Sequence, residues 1–328
     1  MGNKDITDFN EAQLRKRAAS KEELNICLTN NYAFQKIFKN EEIVKGFLIA
    51  LLHLKETDIE ELEVTDPFVE GEVKEEKEGI LDVKLILNGG KKINIEMQNT
   101  YQEDWAERSL FYNCRMFTEG LKKGESYYEL PPCIHVGILD FNYLKSPGFY
   151  HRILLRDDTT GELYSSKFQF HVIELSKIAT TKGKARKQDL YKWAKLISAS
   201  TWEEIREESE GNHYMEKVRD EMIKMSRDES ERYLYLREQM AIRDKESQLR
   251  SAENRGRREG REEGRKQGEI LKLITMVKKK IENGDSIAKI ADDLLEDADV
   301  IEKIYDIVKE NPEKTREEIC EILMNQKI

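Results

Sequence analysis

The chain has 328 residues, enough for one large domain or two ordinary ones, and its 37% charged share is well above the ordinary globular level. A formal net charge of −10 argues against indiscriminate coating of DNA but leaves room for a local basic groove. The four scattered cysteines make no CxxC pair and the five histidines make no HExxH pair; the N-terminus is polar, and no apolar run approaches a membrane span. The expectation is therefore a cytoplasmic protein with reduced thiols, without a zinc site, signal peptide or membrane helix.

In chain order, Glu22 to Leu52 is predicted helical with a break near Asn30-Asn31. Phe34, Ile37 and Phe38 recur at helical spacing, and Ile43, Phe47, Leu48, Leu51 and Leu52 continue the stripe. A strand is expected near Leu62-Glu63-Val64, then a turn at Asp66-Pro67.

Leu81 to Leu87 and Ile93 to Gln98 flank Asn88-Gly89-Gly90 and read as a β-hairpin. A three-residue loop pairs 87 with 91 and therefore 82 with 96. In that register Val83, Leu85, Leu87, Ile93, Ile95 and Met97 share an apolar face, while Asp82, Lys84, Asn94, Glu96 and Gln98 share the other. A one-residue slip would mix the two faces, so the apolar pattern alone selects this register.

Carboxylates directly opposite each other repel unless a cation lies between them. Asp82 and Glu96 are thus candidate ligands for Mg²⁺ or Mn²⁺, with the Met97 carbonyl as a further donor. Gln98 is a candidate for orienting water or phosphate, and Lys84 for supplying positive charge. A hairpin with a solvated polar face would show the same pattern.

Glu103 to Gly120 reads as a helix, with Trp105, Leu110, Phe111, Met116 and Phe117 available for burial. Arg108 and Tyr112, four apart on it, are candidates to reach phosphate; a surface Arg and a half-buried Tyr are the plainer reading. Strands are expected at Ile134–Leu139 and Phe168–Leu175, and the order of elements implies a mixed sheet with helices on its faces. Lys177 to Lys195 carries a local balance of +6 and includes Lys182, Lys184, Arg186 and Lys187, candidate DNA contacts.

From about Glu203 to Glu269 the composition is dominated by charge. Gly256, Gly260, Gly264 and Gly268 recur every fourth residue, which fits either close helix–helix approach or a flexible charged linker. Ile270 to Ile328 regains apolar periodicity, with a candidate cap at Asp285-Ser286 and a break at Asn311-Pro312. Residues 282–310 carry a balance of −7, which disfavours a DNA-reading helix and favours a small protein-interaction bundle.

The ordered set Asn30-Asn31-Tyr32-Ala33-Phe34-Gln35-Lys36-Ile37-Phe38, Ile80-Leu81-Asp82-Val83, Asn94-Ile95-Glu96-Met97-Gln98 and Arg108-Ser109-Leu110-Phe111-Tyr112 resembles the Rpn family of recombination-promoting nucleases and putative transposases, within the PD-(D/E)XK nuclease superfamily. Lys123-Gly124-Glu125-Ser126-Tyr127 and Ile173-Glu174-Leu175-Ser176-Lys177 extend the likeness, and the Gly-Arg-Glu-rich tail is typical of the family.

The resemblance implies a restriction-endonuclease-like α/β sheet flanked by helices and Mg²⁺-dependent cleavage of double-stranded DNA in recombination or mobile-element biology. Asp82 and Glu96 become metal ligands, and Gln98 stands where the superfamily has lysine. Two departures bear on activity: the family's first motif resembles Asp-Tyr-x-Phe-Lys, whereas Asn31 and Gln35 stand here. Ser176 replaces a common proline. An alternative is therefore a catalytically weak or silent protein of this fold that binds DNA or another protein.

The expected organisation is an N-terminal segment (1–27), a nuclease-like domain (28–200), a charged helical extension (201–269) and a small helical domain (270–328). The C-terminal helices are candidates to pair protomers into a homo-oligomer.

Overall fold

The computed structural model describes residues 11–65, 68–69, 79–80, 82–119, 124 and 126–325. The expected turn at Asp66-Pro67, Leu81 at the head of the hairpin, Gly120 and the Lys123 and Glu125 positions lie outside them. Contacts divide the chain into two units, one ending at Asp244 and one beginning at Lys245.

The first unit is built on a six-stranded mixed sheet. Its strands are β1 (Leu62–Thr65), β4 (Val83–Leu87), β5 (Lys91–Gln98), β6 (Cys133–Leu139), β7 (Tyr150–Arg156) and β8 (Leu163–Glu174), in the order β1-β4-β5-β6-β8-β7. A separate two-stranded ribbon pairs β2 (Phe68–Val69) with β3 (Gly79–Ile80). β5, β6 and β8 run parallel, so Gln98, Leu139 and Glu174 end level with one another.

The hairpin has the register deduced from its apolar face: Val83 lies opposite Ile95, Lys84 opposite Asn94 and Leu87 opposite Lys91. Asn88 and Gly89 take left-handed φ values of 44° and 70°, and Gly90 has φ 127°, which explains the paired glycines.

Val83, Leu85, Leu87, Ile93, Ile95 and Met97 are buried, joined on the same face by Ile134, Val136 and Ile138 of β6. Against this face pack α2 (Asn31–Phe38), α3 (Glu41–Leu52) and α5 (Asp189–Ser198). Asn30 caps α2 by accepting from the Ala33 N–H, and Asn40 caps α3 by accepting from Glu42 and Ile43. The opposite face is covered by α4 (Trp105–Thr118), whose Trp105 lies over Gly137.

One expectation about the N-terminal part is corrected. Residues 21–30 are not helical; Leu24, Ile26 and Leu28 are buried at period two, the mark of an extended segment. The helix lies earlier, as α1 (Glu11–Ala18), with Leu14 and Ala18 in the same core.

β7 was not expected from sequence. It is an edge strand with no fully buried residue, so it lacks the alternation that marks half-buried strands.

Packing also continues past residue 200. α6 (Trp202–Ser209) and α7 (His213–Arg227) are charged on their outer faces, while Ile205, Met215, Val218, Met222 and Met225 join the main core. Tyr214 lies on Gly46 of α3, where an added Cβ would come within 2.3 Å of the tyrosine side chain.

α8 (Glu229–Glu282) begins in the first unit, where Arg232 donates to the carbonyls of Arg17, Glu22 and Ser226. The second unit holds the end of α8, then α9 (Ile287–Leu294), α10 (Ala298–Glu310) and α11 (Arg316–Asn325). Ile274, Val277, Ile290, Ile301, Ile304, Ile319 and Leu323 form its core, the small C-terminal bundle read from periodicity. The four periodic glycines lie within α8, so that stretch is helix, not flexible linker. A Cβ at any of them would meet nothing within 4 Å, so no close helix approach occurs there among the described residues.

Candidate active site

The hairpin register brings Asp82 and Glu96 onto one face at the end of the sheet where β4 begins and β5 ends. Each oxygen can be traced. Asp82 Oδ2 accepts from the Met97 N–H at 2.7 Å, and Oδ1 accepts from the Gln35 amide at 2.9 Å. A residue in an extended strand points its N–H and C=O to the same edge. The Met97 carbonyl is therefore also directed to the Asp82 side.

Glu96 is only 2% exposed, and its Oε1 accepts from Gln98 at 2.7 Å and from Arg108 at 2.9 and 3.2 Å. Among the described residues its Oε2 is buried without a hydrogen-bond partner. His135 Nε2 lies 3.7 Å from it, beyond hydrogen-bond distance, and has no partner of its own among the described residues.

Electrostatics follow from this crowding. Burial, and then the charge of Glu96, push the Asp82 carboxyl up to about 7, against the opposing pull of the Met97 N–H, the Gln35 amide and Arg108. Burial holds the His135 imidazole below its ordinary value. Asn94 Nδ2 lies 3.1 Å from His135 Nδ1, so with Nδ1 as acceptor the neutral ring carries its proton on Nε2, facing Glu96.

Arg108 reaches Glu96 because α4 sits close on the sheet. Its start is seated on Gly137, where a Cβ would lie 2.2 Å from the Trp105 ring. The guanidinium also lies over Tyr112, 4.8 Å from the ring centroid.

At the other end of the helix Lys84 Nζ donates to Glu119 at 2.9 Å, and Lys92 donates to the Met116 carbonyl at 2.9 Å. Cations there complement the partial negative charge of a helix C-terminus.

Asp82, Glu96, Gln98 and Arg108 come together as a cluster. Gln98 bonds to Glu96 directly, so it orients a carboxylate in the resting site. Lys84 is corrected: it shares the face but is buried and paired with Glu119. Arg108 is an ion-pair partner of Glu96, and Tyr112 is a buried support beneath it; neither is a bare phosphate contact here.

Lys182, Lys184 and Lys187 are exposed on and just before the short turn Gly183–Lys187, and Arg186 donates to the Thr181 carbonyl. None of them bonds to Asp82 or Glu96. Lys177 is also not free for DNA: it is buried, bonded to Glu174 and to the Leu144 and Ser146 carbonyls.

Sequence reading missed three contributors. Gln35 reaches Asp82 from 47 residues away, a contact no local pattern carries. His135 and Asn94 do have a signal, polar residues at facing positions of buried strands. Asn31, at the other departure from the family motif, accepts from Asn99 at 3.4 Å and not from a cation.

Among the described residues no cluster of three or more His, Cys, Asp or Glu has the arrangement of a metal cage. A divalent ion would have to rest on Asp82, Glu96, a backbone carbonyl and water. That donor set suits Mg²⁺, which keeps several waters and uses one or two carboxylates. The unpartnered Glu96 oxygen and the raised Asp82 carboxyl are both features that a bound cation would relieve.

A family model described as PD-(D/E)XK nuclease family transposase matches residues 28–252. No curated protein and no solved structure matches the chain.

Proposed function

Because the chain belongs to the PD-(D/E)XK nuclease family of transposases, we propose that it is a Mg²⁺- or Mn²⁺-dependent endonuclease that hydrolyses phosphodiester bonds in double-stranded DNA, acting in recombination or mobile-element movement. The observation that carries this reading is the convergence of Asp82 and Glu96 at a sheet end, with one carboxylate oxygen unpartnered. Asp82, Glu96 and the Met97 carbonyl would hold the ion. When bound, a divalent ion lowers the pKa of a coordinated water and stabilises charge developing on the phosphate.

The chain's own residues have separate tasks. Gln98 fixes the rotamer of Glu96 through its amide. Arg108 neutralises Glu96 before an ion arrives and stands at the site as a cation for an incoming phosphate. Gln35 holds Asp82 without adding charge, which leaves that carboxyl near the middle of its titration at neutral pH. His135, held by Asn94, places its Nε2 3.7 Å from the second oxygen of Glu96, too far for a hydrogen bond.

Supercoiled plasmid incubated with the pure protein and Mg²⁺ or Mn²⁺ tests the reading. Nicked or linear product, lost with EDTA, is the expected result; intact plasmid across a range of metals and DNAs sinks it.

One observation favours a second reading, a silent member that retains DNA binding. Glu96 is already neutralised by Arg108, and the acid–base pair of the family motif is replaced by Asn31 and Gln35. On that reading duplex binding persists and is indifferent to Asp82→Ala and Glu96→Ala.

A further inference from the structure

Residues 244–269 of α8 are all exposed along one continuous helix. At about 100° per residue, Arg257, Arg250, Arg261, Arg265 and Arg258 fall in that order within an arc of about 100°. Asn254 lies near the middle of the arc. Glu259 and Glu263 project to the opposite side with Lys245 and Lys266, while Glu246, Glu253, Glu262 and Glu269 border the arc.

Ser251, Asn254, Arg257, Arg258 and Arg261 line one shallow surface concavity, which places the side chains together in space as well as on a wheel. Of the five arginines only Arg257 has an ion pair among the described residues, with Glu253 at 3.1 Å.

A helix that is merely well solvated spreads its charges around the axis in alternating pairs. Here five arginines share an arc that holds no carboxylate, although residues 245–269 carry eight basic and six acidic side chains; the other three bases, Lys245, Arg255 and Lys266, lie outside the arc. Arginine suits the polyanion because its planar fork matches phosphate oxygens and its charge does not titrate away. From Arg250 to Arg265 the face is about 22 Å long. That length runs past roughly six phosphates of one duplex strand.

We propose that the arginine face of α8 binds the phosphate backbone of double-stranded DNA, as a contact separate from the carboxylate site. The choice of duplex DNA as the polyanion rests on the nuclease reading; the clustering of arginines does not. Backbone contact of this kind positions DNA without reading sequence. The bundle that follows carries a balance of −7 over residues 282–310 and is not part of the proposed contact.

The test is anisotropy of a labelled duplex of roughly 30 base pairs with the full chain, in EDTA so that cleavage cannot intervene, at salt between 50 and 200 mM. Arg258→Gln/Arg261→Gln/Arg265→Gln keeps helix propensity close to that of the parent. Its log–log salt slope is expected to be shallower by about 2.7, three contacts at about 0.9 each. At 0.1 M salt that corresponds to a loss of about 500-fold in affinity.

Glu259→Gln/Glu263→Gln, on the opposite face, is expected to leave the slope unchanged; an equal and opposite change there would mean net charge, not a face, and overturns the proposal. So does an unchanged slope in the arginine variant, or a change in its oligomeric mass by light scattering, which would make the face a contact with a second copy. Plasmid cleavage scored separately distinguishes failure of this contact from failure of the nuclease reading.

Discussion

Gln35→Lys puts a cation where the Gln35 amide now donates to Asp82 Oδ1 at 2.9 Å. Asp82 titrates at about 7 because burial and Glu96 disfavour its charged form and its nearest donors are neutral. An opposite charge at such a distance lowers a carboxyl by about 1–3 units, which would bring Asp82 to roughly 4–6.

The consequence is a change in how metal binding depends on pH. With a carboxyl at about 7, the ionised fraction at pH 6 is about one tenth of that at pH 8, so metal affinity should fall about tenfold across that window. With a carboxyl at about 5 the two fractions differ by only about 10%. Calorimetric titration of Mn²⁺ into both proteins at pH 6, 7 and 8 reads this directly. Absolute affinity in the variant will be reduced by the added cation, but its pH dependence should be nearly flat. A wild type that is already flat, or a variant that keeps the tenfold slope, refutes the assignment of Asp82 as the titrating ligand.

Three further outcomes are expected. Asp82→Asn should stabilise the metal-free protein above pH 7. A carboxyl raised on folding binds extra protons when native, so the wild type loses stability as pH rises from about 4 to 7. After discounting for partial exposure, the gain is about 1–3 kcal/mol, fading as pH falls towards 4; urea unfolding at pH 5 and 8 checks the sign. Arg108→Ala strips the counterion from a buried Glu96 and should cost about 3–5 kcal/mol without metal, part of it restored by saturating Mn²⁺ in a thermal melt. Equal loss with and without metal would count against ion binding at Glu96. Gly137→Ala forces Trp105 off the sheet and should cost about 1–3 kcal/mol. A loss under about 0.5 kcal/mol would mean that the seat of α4 is not tight.

The hairpin was legible because strand side chains alternate with period two, so its apolar residues fixed a register that placed Asp82 across from Glu96. The helices α2 and α3 were legible from apolar spacing. What escaped depends on tertiary contact. The polar face looked as though it met solvent, but α4 covers it, which turns Asn94 and His135 into buried groups. Lys84 lies on the correct face yet near the far end of α4, where Glu119 takes its charge. Gln35 stood out only as a departure from the family's first motif, and its hydrogen bond to Asp82 was invisible until α2 was laid against the hairpin. The charge-rich composition after residue 200 concealed amphipathic helices whose methionines belong to the main core.

The most direct measurement is the single-turnover rate of plasmid cleavage in Mg²⁺ for wild type beside Asp82→Asn, which keeps the shape of the side chain and removes its charge. The account expects cleavage by wild type and a loss of at least about 100-fold in the variant, with duplex binding in EDTA unchanged. Equal rates for the two proteins would contradict it, because the catalytic charge would then lie somewhere other than the hairpin.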